Sequence, residues 1–177
     1  MSEVRTKLAR DLARSIIKGI NFSNPPVVLN QVVKYMRTTM SLNIRKQDLG
    51  DGFDGVSAET HEEAFLQYNS NVHYHRARAT VSHELGHISL HHTHPANLDR
   101  LDATEKQREN EAWCFGRELL MPLPMFRKDV KNVKSIPELS KRYWVSEDIV
   151  RVRIQELHLE TSILDWGKAS MNLPGVY

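Results

Sequence analysis

Apolar positions recur at helical spacing through much of the chain and give way to short alternating runs near its middle. Residues 3–19 set Leu8, Leu12, Ile16 and Ile17 on one side and close on Gly19, which predicts an amphipathic helix. Asn24-Pro25-Pro26 predicts the start of a second helix reaching about Met36, since proline suits a first helical turn. Ser41 to Arg45, Gly55 to Ala58 and Ala64 to Asn69 read as strands, the first two parted by the turn-rich Asp48-Leu49-Gly50-Asp51-Gly52. Ala64 to Asn69 is expected at the sheet edge, where an extended peptide can pair with it. Ala77, Val81, Leu85 and Ile88 then mark a helix buried on one side. Gly86 within it costs about 1 kcal/mol relative to Ala, which close packing of the backbone against another element would offset. The next helix opens at Thr104, with Gln107 completing a capping box, and stops at Met121-Pro122. Ala112, Trp113, Phe115, Gly116, Leu119 and Leu120 form its inward face, while Glu111 and Glu118 are expected on a solvated flank. Helices around a small three-stranded sheet make an α+β fold.

Composition narrows the setting. A length of 177 residues suits one core with a small appendage. The formal net charge of +2 is too small to imply nucleic acid by itself. There is no apolar run of signal-peptide or membrane-spanning length, and the lone Cys114 allows no internal disulfide. A cytoplasmic protein without a membrane partner is expected, with Cys114 a small buried hydrophobe.

The most informative segment is His83-Glu84-Leu85-Gly86-His87. Residues four apart share a helix face, so the two imidazoles can converge on one Zn²⁺ ion. Glu84 can act on water as a general base and then pass the proton to a leaving amine. A third ligand is needed. His91, His92 and His94 are nearest, but the run to Pro95 reads as the end of the helix, where histidine is favoured by the dipole. Leu90 and Thr93 stand where a metzincin would need Gly and His. Glu109 is the better candidate because it falls on the inward stripe of the next helix, where a carboxylate must be paired, protonated or metal-bound. Glu105, one turn earlier, is the reserve. His73, Tyr74 and His75 precede the metal helix and are candidate stabilisers of an oxyanion.

Three stretches, Arg76 to Leu90, Glu109 to Pro122 and Tyr143-Trp144-Val145-Ser146, together resemble the ImmA/IrrE family of zinc metallopeptidases. The Pro25-Pro26-Val27 segment and the strand ending at Asn69 extend the similarity over most of the chain. The resemblance implies a zincin-like core, His83, His87 and Glu109 as zinc ligands, Glu84 as catalytic acid and base, and limited cleavage of a DNA-binding repressor. One departure stands out: the family usually has Asn or Asp where this chain has Trp113, which puts support of a ligand in question.

Residues 137–153 carry a second pattern, two helical stretches flanking a Val145-Ser146 turn that Ser146 caps. This resembles a helix-turn-helix whose second helix could offer Arg151 and Arg153 to a major groove, although Glu147 and Asp148 at its start would repel phosphates. Residues 1–128 are therefore expected to form the zincin-like domain and 129–177 a helical, helix-turn-helix-like segment. A non-hydrolytic, metal-stabilised module that contacts DNA or a regulator is the alternative to a peptidase.

Overall fold

The computed structural model describes residues 5–95, 104–133 and 135–163. Positions 3 and 4 of the first expected helix and residues 164–177 of the expected C-terminal segment lie outside them. In chain order the described elements are α1 (Thr6–Gly19), α2 (Leu29–Met36), β1 (Ser41–Gln47), β2 (Gly55–Glu59), β3 (Glu63–Asn69), α3 (Tyr74–Ser89), α4 (Glu105–Leu120), α5 (Leu123–Val133), α6 (Ile136–Tyr143) and α7 (Glu147–Glu156). A 3-10 turn follows at Glu160–Ile163. The fold is α+β with a small three-stranded mixed sheet, as the pattern predicted.

Several local expectations are corrected. The strand order is β1-β3-β2, so the strand expected at the edge is the central one. It runs parallel to β1 and antiparallel to β2. The reason is the tight turn after β2, where Thr60 Oγ1 accepts from the Glu62 and Glu63 amides and folds β2 directly against β3. That hairpin leaves only the far side of β3 for β1, and β2 becomes an edge. Helix α2 starts at Leu29 rather than at the prolines, since Val28 is extended at ψ 106° and its carbonyl accepts the first helical bonds, from the Gln31 and Val32 amides. In α1 the buried stripe is Ala9, Ala13 and Ile16, while Leu8 is 44% exposed. Small side chains at this contact let α1 lie close against α4.

Helix α3 is buried on all sides from Arg78 to Ile88, not on one. The sheet covers one flank and α4 another. The closest approach of α3 and α4 runs through two glycines. A Cβ on Gly86 would lie 2.8 Å from the Ala112 carbonyl oxygen, and one on Gly116 would lie 3.2 Å from the His83 amide nitrogen. These are backbone atoms that no rotamer change can move aside. The capping box at Thr104 and Gln107 holds the other end of α4 as expected.

Both α4 carboxylates expected in solvent are buried, because α1 covers the face of α4 opposite α3. Glu111 and Glu118 are 1% and 0% exposed. Glu118 accepts from Arg14 Nε at 2.9 Å and from Arg153. Arg153, fully buried, also donates to the Met121 carbonyl and, at 3.0 Å, to Glu156. Glu156 is further held by Arg117 and Arg10. Burial raises the Glu156 pKa, but Arg117 and Arg153 outweigh it and hold the carboxyl down at about 2.

This network lies between two hydrophobic cores. One gathers Ala9, Ala13, Val32, Leu42, Leu66, Val81, Leu85, Ile88, Phe115 and Leu119; the other gathers Leu120, Phe126, Val130, Leu139, Tyr143, Val150 and Ile154. The cores divide at the end of α4. Among the described residues, no helix is long and apolar enough to cross a membrane.

Gly86→Ala is expected to lower unfolding free energy by about 1–3 kcal/mol in urea titrations, despite the better helix propensity of alanine; a neutral or stabilised variant would contradict the contact. Arg153→Met, which leaves Glu118 buried with less compensation, is expected to cost about 3–5 kcal/mol. Glu156 is depressed in the folded state, so its contribution is fully present above about pH 4.5 and lost as pH falls through about 2. The melting temperatures of wild type and Glu156→Gln should therefore converge as pH drops from 5 to 2.

Candidate metal centre

Residues one turn apart on α3 and one residue on α4 meet at a single point. His83 Nε2 and His87 Nε2 are 3.1 Å apart. Glu109 sends Oε2 to within 3.1 Å of the first and Oε1 to within 3.1 Å of the second. Four Zn²⁺ ligands held tetrahedrally at 2.0–2.1 Å would be separated by about 3.3 Å, so the spacing fits a metal with nitrogen and oxygen donors. Among the described residues this trio is the one His/Cys/Asp/Glu group close enough to share an ion. Burial, with His87 alongside, pushes the His83 pKa down to about 3, which keeps the ring neutral and its lone pair available. Glu109 is not buried as expected from its stripe. Its side chain is 46% exposed, so it stands at the rim of the site.

Glu84 lies beside the trio, 9% exposed. Its Oε2 accepts from the Ser57 hydroxyl at 2.6 Å. Burial raises the Glu84 pKa, and the Ser57 hydrogen bond opposes that rise. The backbone of β2 can come this close because it carries glycine: a Cβ on Gly55 would lie 2.5 Å from Thr80 Cγ2 and 3.5 Å from Glu84 Cγ.

The remaining candidates go elsewhere. His73 caps α3, accepting from the His75 amide. Tyr74 is 52% exposed and packs edge-on against Trp144. Nine residues of helix separate Tyr74 from His83, a rise of roughly 13 Å, so His73, Tyr74 and His75 are not at hand to stabilise an oxyanion there. His91 Nδ1 lies 2.9 Å from Glu59 Oε1, and His94 packs edge-on against His61 and His91. Glu105 is exposed, one turn short of Glu109. Cys114 is buried, and burial pushes its thiol up to about 11, in keeping with a packing role.

Sequence reasoning missed Ser57 altogether, and it named Trp113 and His92 without the contacts they make. Ser57 reaches Glu84 only because the β2–β3 hairpin folds over α3, and a serine in a short strand gives no local signal. Trp113 lays its ring against His83, centroids 4.2 Å apart and planes tilted by 32°. His92 turns back toward His87, its Nδ1 3.0 Å from the His87 Nδ1. Burial holds the His92 pKa down at about 4, against the pull of Glu111.

The C-terminal pair α6 and α7 forms as predicted, with Trp144 in the left-handed region at φ 55° and Ser146 accepting from the Ile149 amide. Arg153 cannot reach a DNA groove from its buried position, and Arg151 is paired with Glu147 and Asp148 on its own helix.

Comparison with known proteins agrees with this geometry. The family described as IrrE N-terminal-like domain, Peptidase_M78, matches residues 38–155. No curated protein matches the chain. Among solved structures, a Mycobacterium tuberculosis transcriptional regulator is similar over 84% of this chain, with a TM-score of 0.63 and 16% sequence identity. This chain spans 47% of that one, and identity at this level speaks to the fold alone.

Elemental analysis of protein purified without chelator or a metal-affinity column is expected to find about one zinc per chain, lost in both His83→Ala and Glu109→Ala. Added zinc at about 100 times its dissociation constant should stabilise wild type by about 2.7 kcal/mol and leave both variants unmoved. Zinc retained by Glu109→Ala would move the third ligand elsewhere.

Proposed function

The chain belongs to the Peptidase_M78 family of IrrE N-terminal-like domains, and from that premise we propose a zinc-dependent endopeptidase that cuts a DNA-binding transcriptional repressor at one or a few bonds. The observation that carries the reading is the convergence of His83, His87 and Glu109 at mutual distances of 3.1 Å, with Glu84 beside them. His83, His87 and Glu109 would hold the ion. When bound, zinc supplies Lewis-acid polarisation of a carbonyl and lowers the pKa of water toward about 7.

The chain's own groups do the rest. Glu84 takes the proton from the attacking water and delivers it to the leaving amine. Ser57 fixes one carboxylate oxygen and leaves the other free for that exchange. The raised pKa of Glu84 makes it a better base than a solvated carboxylate.

The edge strand β2 lies along the same side of α3 and offers main-chain hydrogen bonds to an extended segment. Pairing of this kind selects an exposed, strand-like linker over a folded domain, which makes cleavage limited. A regulator as substrate is supported by the family resemblance. Such a substrate resides with DNA, so the activity belongs in the cytoplasm. Cleavage would switch on the genes that the repressor silences. The burial of Arg153 weighs against the alternative of a non-hydrolytic module acting on DNA.

Glu84→Gln is expected to keep its zinc and bind its partner, and to cut it about 100- to 10,000-fold more slowly. Incubation with candidate repressors, followed by mass mapping of the products, checks this. Cleavage by Glu84→Gln at the wild-type rate would overturn the assignment.

A further inference from the structure

The two histidines of the metal centre are supported in different ways. Among the described residues, His83 Nδ1 is buried with no hydrogen-bond partner, and its ring is held by the face of Trp113. His87 Nδ1 instead enters a chain of buried groups. It lies 3.0 Å from His92 Nδ1, and His92 Nε2 lies 3.1 Å from Glu111 Oε2. Glu111 also accepts from the Arg5 amide at 2.8 Å and from the Arg5 guanidinium at 2.9 and 3.1 Å. The side chains of His92 and Glu111 are 3% and 1% exposed.

The direction of each bond follows from what the groups can donate. An ionised Glu111, fixed by Arg5, only accepts. His92 must therefore donate through Nε2, and a neutral His92 then has only a lone pair on Nδ1. His87 must donate into that lone pair through its own Nδ1–H. That Nδ1–H is the ring proton that remains when Nε2 carries a metal, so the bond to His92 suits a ligand imidazole.

We propose that Arg5, Glu111 and His92 form a positioning relay that accepts the His87 Nδ1–H and so holds the ring with Nε2 toward the metal. The relay ties the chain before α1 to a ligand on α3 through a carboxylate on α4. Ligand histidines generally need such a partner, and its loss costs about 10- to 100-fold in metal affinity. Here one ligand has it and the other is held by stacking. This inference rests on the zinc reading for its purpose, and its test keeps the two apart.

The test uses full-length wild type, Glu111→Gln, Arg5→Met and His92→Phe, each checked for an unchanged far-UV spectrum. Glu111→Gln and Arg5→Met leave all imidazoles in place should His92→Phe fail to fold. In the zinc-loaded proteins, long-range ¹H–¹⁵N correlations locate the His87 Nδ1–H, and its hydrogen exchange and its scalar coupling across the bond to His92 Nδ1 read the relay directly. Wild type should show a slowly exchanging Nδ1–H coupled to His92 Nδ1, and the variants a faster-exchanging one. Competition with a chromophoric chelator should show zinc bound about 10- to 100-fold more weakly by His92→Phe, with the same direction for the other two. The double variant His92→Phe/Glu111→Gln should lose no more than His92→Phe alone. Absence of that coupling in zinc-loaded wild type, or exchange unchanged in the folded variants, overturns the relay whether or not affinity falls, since lost affinity alone would mark a packing role. Wild type that binds zinc without the coupling overturns the relay alone, whereas wild type that binds no zinc defeats the zinc reading and the relay with it.

Discussion

The close crossing of α3 and α4 is the contact on which the site depends. Gly86 and Gly116 each bring one helix's surface against the other's backbone, within the reach of a missing Cβ. Only at this separation can a carboxylate on α4 sit 3.1 Å from both imidazoles on α3. Wider helices would leave Glu109 a longer reach with more rotamer freedom to lose, and metal sites tolerate little displacement of a ligand. The same approach brings Trp113 over His83 and Glu111 up to His92.

A helix buried on every side is usually apolar on every side. Helix α3 is not, carrying Arg78, Thr80, Ser82, His83, Glu84 and His87 in its buried stretch. The polar groups are tolerated because neighbouring elements satisfy them: Ser57 on β2 serves Glu84, His92 serves His87, and the Val27 and Trp144 carbonyls accept from Arg78. Arg78 thereby links α3 to the segment before α2 and to the turn between α6 and α7. Among the described residues of that stretch His83 Nδ1 is the exception, and beside it this chain offers the aromatic face of Trp113.

A second constraint joins the two cores. Glu118 and Glu156 sit among Arg10, Arg14, Arg117 and Arg153, with Arg153 fully buried. Each carboxylate neutralises more than one guanidinium, and loss of Glu118 or Arg153, both fully buried, leaves the other with less compensation and no water to solvate it. Arginine suits this place because its fork of donors reaches Glu118, Glu156 and the Met121 carbonyl at once. The C-terminal helices are therefore part of the body that carries the site, and their basic residues serve its assembly.

The metal-ligand spacing, the capped start of α4, the three strands and the α6–turn–α7 unit were legible in the sequence, because each depends on residues within a few positions of one another. Helical period alone placed His83 and His87 on one face, and turn and cap chemistry placed Thr104 and Ser146. What needed the tertiary structure was every feature set by elements distant in sequence. The Thr60 turn made β3 central and left β2 as the edge beside Glu84. The packing of α1 across α4 turned Glu111 and Glu118 from expected surface residues into buried ones. Arg153 changed from a candidate groove reader to a buried pivot for the same reason. A periodic pattern reports how many sides of a helix are apolar, but polar side chains buried with partners carry no such signature. The partners of Glu84, His87 and Glu118 come from other elements, and only the folded chain brings them together.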